Sequence, residues 1–544
     1  MNFIIDEIEI KNLDHLGIVA GIIDEIGIVE KVSVAGHPPS NELLGTDPRE
    51  KINCGEVVKA IILNGLGFVA QPLYLFPNFF KDKAVEHLLG AGVKAEELND
   101  DRLVRVMDKL YEYGLNNLFL IIGLEVIRKY KVSTKYSHLD SSSFHLHGKY
   151  SNQNNEREGK ELEVSSKIPI FITQGYSRDH RPDLKQCVLD LIVSSDGDIP
   201  IFMRGGSGNE SDKAMFGKIL VEYSQQVDFE SIMIADSALY SAKNLILIKD
   251  LKWISRVPLS IKKAKDLIKA VKVEDLKDSE SKGYRYSESK VTYGGIEQRW
   301  MIVESEERKK SDLKKILNRV EKEAEKASKE INKIVKLEFE QSSLALKKIK
   351  EIQSKLKYHQ LIEIETSNKT NKKRQEIYNV TCKLIQAREI VDEIKNQSGR
   401  FILATNILSE TELASAEILV AYKNQQSCER GFRFLKDPLF FADSLFVKNS
   451  KRVETMMMLM GLSLLVYTIG QREIRKNLQA GKSSVKNQLN KLTERPTLRW
   501  IFQCFQGIHC FKIEGIERIS NLNEERYKIL GFLPMACQRY YLAI

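Results

Sequence analysis

The 544-residue chain has few cysteines, and these are widely scattered. Seven cysteines occur between Cys54 and Cys537, and the closest pair, Cys504 and Cys510, has no matching His or Cys cluster beside it. An odd, dispersed set of this kind argues against a disulfide framework and against a structural zinc site. The cysteine content therefore favours a protein of a reducing compartment.

The sequence also lacks a long hydrophobic run and a recognisable targeting segment. Its longest apolar run, from Met456 to Gly470, is shorter than the ~20 residues that a bilayer requires, so a buried helix is predicted there. The first residues, Met1 to Glu7, place no basic segment before an apolar one, so we expect no signal peptide. These absences predict a cytoplasmic protein with no membrane role.

Neither sign of charge dominates. Lys and Arg number 83 against 74 Asp and Glu, which leaves a net charge of +9. With 42% hydrophobic and 29% charged residues, the chain is typical of a globular protein, which excludes a disordered or collagen-like one. The small positive excess permits a polyanionic partner but does not require one.

Hydrophobic periodicity divides the chain into regions of different character. Residues 1–130 predict helices after a short strand-like start, as either a helix-turn-helix-like DNA-binding module or a plain bundle. Residues 131–256 predict strands followed by helix, strand and helix, which is typical of an α/β sheet, and 401–475 return to that core. Between them, 257–400 predict two amphipathic helices that form a hairpin, flanked by strands. Residues 476–544 are expected to form a C-terminal helical region.

Individual elements can also be predicted. Asn99 or Asp100 is expected to cap a helix. Residues 135–140 and 143–148 predict the two strands of a hairpin. Residues 205–209 are rich in glycine but lack the Lys and the spacing of a phosphate-binding loop, so a turn is predicted. The charged face of the long helix is expected to be solvated rather than to grip DNA.

Three acidic residues are candidates for a metal site. Asp140 and Asp236 end predicted strands, and Glu429 lies on a late helix. Carboxylates that are distant in sequence can converge when they lie on a sheet and on its covering helix, and their oxygens suit hard divalent cations. Two Mg²⁺ ions about 3.5–4 Å apart would serve phosphoryl transfer. Taken singly, a strand-end aspartate is also typical of a turn or a helix cap.

Glu429 belongs to a regularly spaced group of polar residues. Tyr422, Gln425, Glu429 and Lys436 follow one another at increments of three, four and seven. On one helix these increments place the side chains on one face, which Arg433 also joins. Such a face offers a carboxylate for a metal, Lys and Arg for phosphate, and Tyr and Gln as hydrogen-bond donors. A solvated stripe with a Glu429–Arg433 ion pair is the alternative.

This spacing resembles the Tyr-(2)-Arg-(3)-Glu-(6)-Lys signature of DDE transposases of the bacterial insertion-sequence superfamily usually called IS-four. Asp140, in the segment LDSSS, and Asp236, in the segment IADSA, look like the first and second aspartates of that family. Blocks at residues 13–19, 65–68 and 175–183 are similar to one bacterial branch of the group. The resemblance covers most of the chain.

The resemblance implies an α/β fold: an RNase H-like mixed-sheet core, an all-α N-terminal domain and an inserted helical-hairpin plus β subdomain. It implies that the chain binds the terminal inverted repeats of its own element as a homodimer, cleaves the ends and joins them to target DNA. Asp140, Asp236 and Glu429 would hold two Mg²⁺ ions, for which Mn²⁺ can substitute. A bacterial cytoplasmic protein, associated with the nucleoid when bound to DNA, is expected.

The resemblance also suggests contacts to double-stranded DNA. Tyr422 and Lys436 would hold phosphates near the cleaved end, and Gln425 stands where the signature has Arg. A glutamine keeps a hydrogen bond to phosphate but loses the charge and the bidentate fork, which Arg433 could offset. Two further basic side chains are candidate DNA contacts: Arg178 and Arg256.

Two other functions remain open from the sequence. A catalytically inactive DNA-binding relic, acting as a repressor of the same element, would share the helical N-terminus and the basic balance, and the Gln425 departure is consistent with it. A helical scaffold built on 305–356 would explain that stretch but would leave the α/β core without a purpose. Metal-dependent cleavage of the element's end DNA would separate the transposase from the relic, which would only bind.

Overall fold

A computed structural model describes residues 9–35, 52–68, 71–72, 75–147, 150, 169–177, 181–370, 376–438, 449–513 and 516–542. The chain folds as two units. Residues 1–253 and 421–544 form unit 1, and residues 254–420 form unit 2.

The strands are numbered in chain order. They are β1 (Glu9–Asn12), β2 (Tyr136–Leu146), β3 (Lys185–Ser194), β4 (Pro200–Ser207), β5 (Ile232–Ala235), β6 (Trp253–Val257), β7 (Lys277–Asp278), β8 (Tyr284–Tyr293), β9 (Ile296–Ser305), β10 (His359–Thr370), β11 (Glu376–Gln386), β12 (Arg400–Thr405), β13 (Val485–Lys486), β14 (Leu492–Thr493), β15 (His509–Ile513) and β16 (Ile516–Ile519).

The helices are numbered in the same way. They are α1 (Leu16–Ile26), α2 (Ile28–Ala35), α3 (Cys54–Leu66), α4 (Phe76–Phe80), α5 (Val85–Leu89), α6 (Asp100–Tyr113), α7 (Leu115–Tyr130), α8 (Asp212–Gln226), α9 (Ala242–Leu247), α10 (Lys262–Ala270), α11 (Glu306–Ile334), α12 (Ser342–Gln353), α13 (Arg388–Gln397), α14 (Ser415–Lys423), α15 (Gln426–Leu435), α16 (Ser450–Ala480), α17 (Leu498–Cys504), α18 (Glu524–Leu530) and α19 (Met535–Gln538).

Unit 1 contains a mixed sheet with β2 near its centre. Strand β3 pairs antiparallel with both β2 and β4, whereas β5 pairs parallel with β2. All four residues of β5 are buried, as is typical of a short strand covered on both faces. A separate antiparallel sheet of β1, β15 and β16 joins the two ends of the chain. The α/β fold class is therefore confirmed.

Helix α16 forms the centre of the apolar core of unit 1. It contacts α3, α6, α7 and β4, and it contains the predicted buried helix from Met456 to Gly470 but is longer at both ends. By length and composition α16 could cross a membrane, and so could α6 and α7 together, which bend by 85°. Because 83% of the most apolar window of α16 is buried, the prediction of a buried core helix is confirmed.

The N-terminal helices share this core rather than forming a body of their own. Residues of α1, α3, α6 and α7 belong to one hydrophobic cluster with α16 and the C-terminal helices. Asn99 caps α6 by accepting a hydrogen bond from the N–H of Arg102 at 3.0 Å, as predicted. Strand β1 precedes these helices, which confirms the predicted strand-like start and shows that the region is not all-α as the resemblance implies. The C-terminal region 476–544, expected to be helical, also contains strands β13 to β16.

Unit 2 contains a second set of paired strands and a helical hairpin. Strands β6 and β9 both pair antiparallel with β12, and β8 pairs with β9. Strands β8 and β9 of the predicted insertion 257–400 therefore belong to the same sheet as β12, which follows the insertion. Helices α11 and α12 and the β10–β11 hairpin share a small apolar cluster that includes Ile331, Ala345 and Val380.

One predicted turn lies within a strand, and another begins later than predicted. The segment predicted as a hairpin around Ser141–Ser143 is continuous in β2, where these serines pair with Asp190, Leu189 and Val188 of β3. Serine clusters are typical of turns, but here all three are buried between neighbouring strands. The turn predicted at 205–209 is partly right: Gly205 and Gly206 lie in β4, where they pair with Leu189 and Val188, but residues 208 and 209 form a turn directly after the strand.

Candidate active site

The two candidate aspartates directly follow paired residues of the parallel strands β2 and β5 in unit 1. Leu139 of β2 lies opposite Ala235 of β5, and each of these residues directly precedes its aspartate. The register ends at this pair, so Asp140 and Asp236 directly follow paired residues of two neighbouring strands, whose usual spacing is about 4.8 Å. Both side chains are half-buried, which leaves their oxygens within reach of solvent.

Local hydrogen bonds hold both aspartates. Asp236 follows the last residue of β5, and its Oδ1 accepts a hydrogen bond from the N–H of Ala238 at 2.8 Å. The Oδ1 of Asp140 accepts one from the N–H of Ser141, also at 2.8 Å. Each carboxylate thus keeps one oxygen in a fixed direction, and carboxylates can accept further ligands on their remaining lone pairs.

Glu429 lies on the helix that covers this face of the sheet. Helix α15 packs on β2 and β3, and the thiol of Cys428 donates a hydrogen bond to the carbonyl of His138 at 3.2 Å. Burial raises the pKa of Cys428 well above its usual value, and the charges of Asp140, Asp198 and Glu429 raise it further. Asp140 and Glu429 therefore lie within electrostatic reach of the same thiol, while the Glu429 side chain is exposed.

The three carboxylates form an open arrangement. Among the described residues, the carboxylate oxygens of Asp140, Asp236 and Glu429 do not all come within 4.8 Å of one another. Like charges repel when no cation lies between them. The donor set consists of carboxylate oxygens alone, and this is the chemistry that Mg²⁺ and other hard cations prefer. Asp140, Asp236 and Glu429 therefore fit a divalent cation site in their chemistry.

The signature residues lie on two helices, not on one. Tyr422 belongs to α14, the N–H of Gln425 donates to the Tyr422 carbonyl at 3.0 Å, and α15 begins only after this turn. The prediction that Tyr422, Gln425, Glu429 and Lys436 share one helical face is therefore wrong, because the 3.6-residue period is interrupted between Tyr422 and Glu429. Glu429 and Arg433 remain four residues apart on α15, and Lys436 directly follows its last turn.

Gln425 binds the sheet rather than pointing to a free surface. Its Nε2 donates to the carbonyl of Leu139 at 2.8 Å, and its Oε1 accepts from Nδ1 of His138 at 3.3 Å. Both ends of the side-chain amide are thereby engaged one and two residues before Asp140. The expectation that Gln425 offers its amide to a DNA phosphate does not match this geometry. The residue instead ties the start of α15 to β2.

His138 is a site residue that the sequence did not single out. It lies two residues before Asp140, so both side chains are on the same face of β2. Burial lowers the pKa of His138 to about 4, although the hydrogen bond with Gln425 acts in the opposite direction. The imidazole is therefore neutral near pH 7 and carries its hydrogen on Nδ1. His138 could have been identified from the sequence, because a residue two positions from Asp140 on a strand lies on the same face.

Helix α15 and the residue that follows it carry basic side chains near Glu429. Arg433 is exposed, and the ammonium of Lys436 lies 5.4 Å from the ring centroid of Phe144 on β2. Arg430, which the sequence analysis did not select, forms a bidentate ion pair with Asp198 at 2.6 and 2.7 Å. Arg433 and Lys436 thus place positive charge along the same element that carries Glu429.

Arg178 and Arg256 are the two remaining candidate DNA contacts. Arg178 is outside the described residues. Arg256 belongs to unit 2, where its guanidinium lies 5.6 Å from the ring centroid of Phe401.

Comparisons with known proteins give two family matches. A family model described as a transposase DDE domain matches residues 138–468, which is more than half of the chain. A second, described as a domain of unknown function (DUF4277), matches residues 8–124. A search of curated proteins found no match. The solved synaptic complex of piggyBac transposase with hairpin DNA aligns over 98% of this chain and 84% of that chain, at 10% identity and a TM-score of 0.36, and nothing is drawn from so weak a likeness.

Proposed function

This chain belongs to the transposase DDE domain family, and from that membership we propose that it cleaves the ends of its own DNA element and joins them to target DNA. The observation that supports this most directly is the parallel register of β2 and β5, which pairs the residues that directly precede Asp140 and Asp236 within the matched region. Glu429, on the helix that covers the same face, supplies the third carboxylate. The mixed sheet around β2 supports an RNase H-like core.

Asp140, Asp236 and Glu429 would hold two divalent cations, Mg²⁺ with Mn²⁺ as a substitute. When bound, such cations supply positive charge that stabilises the attacking and leaving oxygens of a phosphoryl transfer. The protein's own part is to fix the three carboxylates. Asp140 lies within a continuous strand, Asp236 is held by the N–H of Ala238, and α15 is tied to β2 through Gln425.

The proposed reaction has two steps, each of which exchanges one bond to phosphorus for another. In the first step, the oxygen of a water molecule attacks the phosphodiester at the element's end, and the 3′ oxygen leaves and takes up a proton. In the second, that 3′-OH attacks a target phosphodiester, loses its proton and displaces a target 3′ oxygen. No covalent bond between protein and DNA is needed in either step.

Positive side chains near the carboxylates would hold the DNA backbone. Lys436 and Arg433 carry charge on or directly after α15, and contacts of this kind position a duplex without reading its sequence. Three more residues are proposed as DNA contacts on the sequence pattern alone: Tyr422, Arg178 and Arg256. In this proposal two copies of the chain bind the paired inverted repeats, in the bacterial cytoplasm and on the nucleoid.

The test is cleavage of a labelled duplex that carries the element's own end, with Mg²⁺ and with EDTA. We expect nicking by the wild type with Mg²⁺ only. Asp236→Asn and Glu429→Gln should lower the rate by at least about 10³-fold, since each removes a ligand of the charge that stabilises the transition state. Glu222→Gln, an exposed helical glutamate of the same unit, is the matched control and should cleave normally.

The same assay separates the second candidate function. A catalytically inactive relic that represses its element would bind the end DNA with strong salt dependence and would not nick it under any metal condition. Binding without nicking by a folded wild type would therefore reject the transposase and favour the relic. Nicking that persists in Glu429→Gln would reject the assignment of that residue.

A further inference from the structure

A second set of possible metal ligands lies on other elements of unit 1. His87 on α5, Cys510 on β15 and Glu517 on β16 each offer one ligand atom, and these atoms all lie within 4.8 Å of one another. Within the described parts of the chain, these three residues are the group of His, Cys, Asp or Glu side chains whose ligand atoms come this close. We propose that His87, Cys510 and Glu517 bind a Zn²⁺ ion.

The antiparallel pairing of β15 and β16 brings two of these residues onto one face. Cys510 lies opposite Ile519, and Lys512 lies opposite Glu517. Residues two apart on a strand share a face, so Cys510 and Glu517 are diagonal neighbours. Helix α5 adds His87, whose Nδ1 lies 3.1 Å from Oε2 of Glu517.

The second nitrogen of His87 shows how the ring is oriented. Its Nε2 lies 2.9 Å from the carbonyl oxygen of Tyr540, and a carbonyl can only accept, so Nε2 carries a hydrogen. If the ring is neutral, the lone pair of Nδ1 then faces the Glu517 carboxylate. Two acceptors repel each other at this distance unless a cation lies between them. Metal-binding histidines commonly donate their other N–H to a backbone carbonyl in this way. A protonated His87 paired with Glu517 is the alternative that the experiment must exclude.

The ligand types favour zinc over a harder cation. A thiolate, an imidazole and a carboxylate together suit Zn²⁺, and three protein ligands leave a fourth position for water. The cluster is also accessible, because the Glu517 side chain is 45% exposed while that of His87 is 19% exposed. Burial, and then the charge of Glu517, raise the pKa of Cys510 to about 11, so zinc binding would release the thiol proton.

Such an ion would fasten distant parts of the chain together. Strand β15 pairs with β1 near the N-terminus, His87 comes from the N-terminal helices, and Tyr540 lies after α19. The cysteine spacing argues against a structural zinc site, because the closest pair, Cys504 and Cys510, has no matching His or Cys cluster beside it. That argument applies to local motifs, whereas these ligands come from segments 423 and 430 positions away from His87 (510 − 87 and 517 − 87).

Loading the full-length protein with Co²⁺ tests the proposal, since a Co²⁺–thiolate bond gives a charge-transfer band in the near ultraviolet. We expect one thiolate-bound Co²⁺ per chain, and we expect the band to disappear when Zn²⁺ displaces the Co²⁺. Saturating Zn²⁺ should raise the Tm by a few degrees. Cys510→Ser should abolish the band. Cys504→Ser, a half-exposed cysteine on the neighbouring helix, should keep it. The double variant Asp140→Asn/Asp236→Asn should also keep it, which separates this site from the proposed active site.

Two outcomes would overturn the proposal. One is a wild type that gives no thiolate band, and the other is a band that survives Cys510→Ser. If Cys510→Ser fails to fold, His87→Gln provides a second variant, which should bind Zn²⁺ at least about tenfold more weakly in competition with a chromophoric chelator. A His87→Gln variant that is less stable than the wild type, when neither protein binds Zn²⁺, would identify a plain His87–Glu517 ion pair and reject the zinc site.

Discussion

Gln425 links the start of helix α15 to strand β2 directly beside Asp140. Its amide donates to the carbonyl of Leu139 and accepts from His138, so the residue fixes the helix that carries Glu429 relative to the strand that carries Asp140. Through these two bonds Gln425 acts on the carboxylates indirectly. We therefore interpret it as a positioning residue and not as a contact to DNA.

Replacing Gln425 with alanine should loosen the site. Gln425→Ala leaves the Leu139 carbonyl and the His138 N–H without their partners in a largely buried region, which costs about 1–3 kcal/mol of unfolding free energy. Urea unfolding measures that loss, and a cleavage assay should show a lower rate while DNA affinity changes little. Gln426→Ala, on the exposed neighbouring residue, should behave like the wild type. Unchanged stability with weaker DNA binding would mean that Gln425 contacts phosphate after all.

Two buried histidines should make unit 1 sensitive to acid. Burial lowers the pKa of His138 and of His15 to about 4, against 6.5 in an unfolded chain. The unfolded state therefore binds more protons, and stability that is present above pH 6.5 is lost as the pH falls toward 4. A shift of this size corresponds to roughly 3 kcal/mol for each histidine.

Variants can isolate the share of His138 in this acid sensitivity. His138→Gln should lower the unfolding free energy at pH 7 but should lose less of it between pH 6.5 and pH 4.5 than the wild type does. The control is His147→Gln, because His147 is exposed just beyond β2. Denaturant unfolding at several pH values gives the slopes, and equal slopes in wild type and His138→Gln would show that His138 is already solvated.

At the scale of elements, a buried glutamate joins three strands and a helix of unit 2. Glu304 on β9 accepts hydrogen bonds from Arg285 of β8 at 2.6 Å, from Arg400 of β12 at 3.1 Å and from Lys309 of α11 at 3.2 Å. Burial alone would raise the pKa of Glu304, but these three hydrogen bonds outweigh it, and the pKa lies below its usual value. The carboxylate is therefore charged in the folded protein near pH 7.

Removing this charge should weaken unit 2. Glu304→Gln leaves the buried guanidinium of Arg400 without its counterion, and breaking a buried ion pair from one side costs about 3–5 kcal/mol. Thermal unfolding should show a transition at lower temperature than in the wild type. Glu307→Gln changes an exposed glutamate near the start of α11 and should leave the transition in place. A Glu304→Gln protein that unfolds with the wild type would show that water replaces the lost partner.

Some elements could be predicted from sequence because their local pattern and their environment agree. Helices α11 and α12 lie within 257–400, where apolar residues recur at helical spacing and two amphipathic helices are predicted. The buried serines of β2 could not be predicted, because only the neighbouring strand β3 excludes a turn there. The break between α14 and α15 was missed for a similar reason, since neither Asn424 nor Gln425 is a strong helix breaker.

The same distinction applies to the candidate site. Asp140 and Asp236 could be selected as strand-end acids, but their adjacency depends on the parallel register of β2 and β5. That register pairs residues 96 positions apart, as Leu139 with Ala235 (235 − 139 = 96), and the two aspartates have the same separation (236 − 140 = 96). The roles of Gln425 and His138 depend on where α15 docks on β2, which no spacing within one segment reveals.

At the scale of the whole chain, the last helices complete the core around the first one. Tyr541 donates its hydroxyl hydrogen to the carbonyl of Asp14 at 2.6 Å and accepts from the N–H of Ile18 at 3.1 Å. A Cβ at Gly21 would collide with the backbone of Cys537, so α1 and α19 approach each other closely. The transposase DDE domain match ends at residue 468, yet α19, which lies after it, packs on α1.

Removing the Tyr541 hydroxyl tests how much this closure depends on polar contacts. Tyr541→Phe removes the hydrogen bond to the Asp14 carbonyl and one of the two that the Ile18 N–H makes, because that N–H also donates to the His15 carbonyl at 3.0 Å. We therefore expect a loss of about 1 kcal/mol in urea unfolding. Tyr527→Phe, whose side chain is 51% exposed, is the matched control and should lose little. Equal stability of the two variants would contradict the polar closure and would mean that apolar packing of α19 alone holds α1. Because α1 also contacts α16, and α16 contacts β4, a loosened α1 should lower the stability of the sheet that carries Asp140.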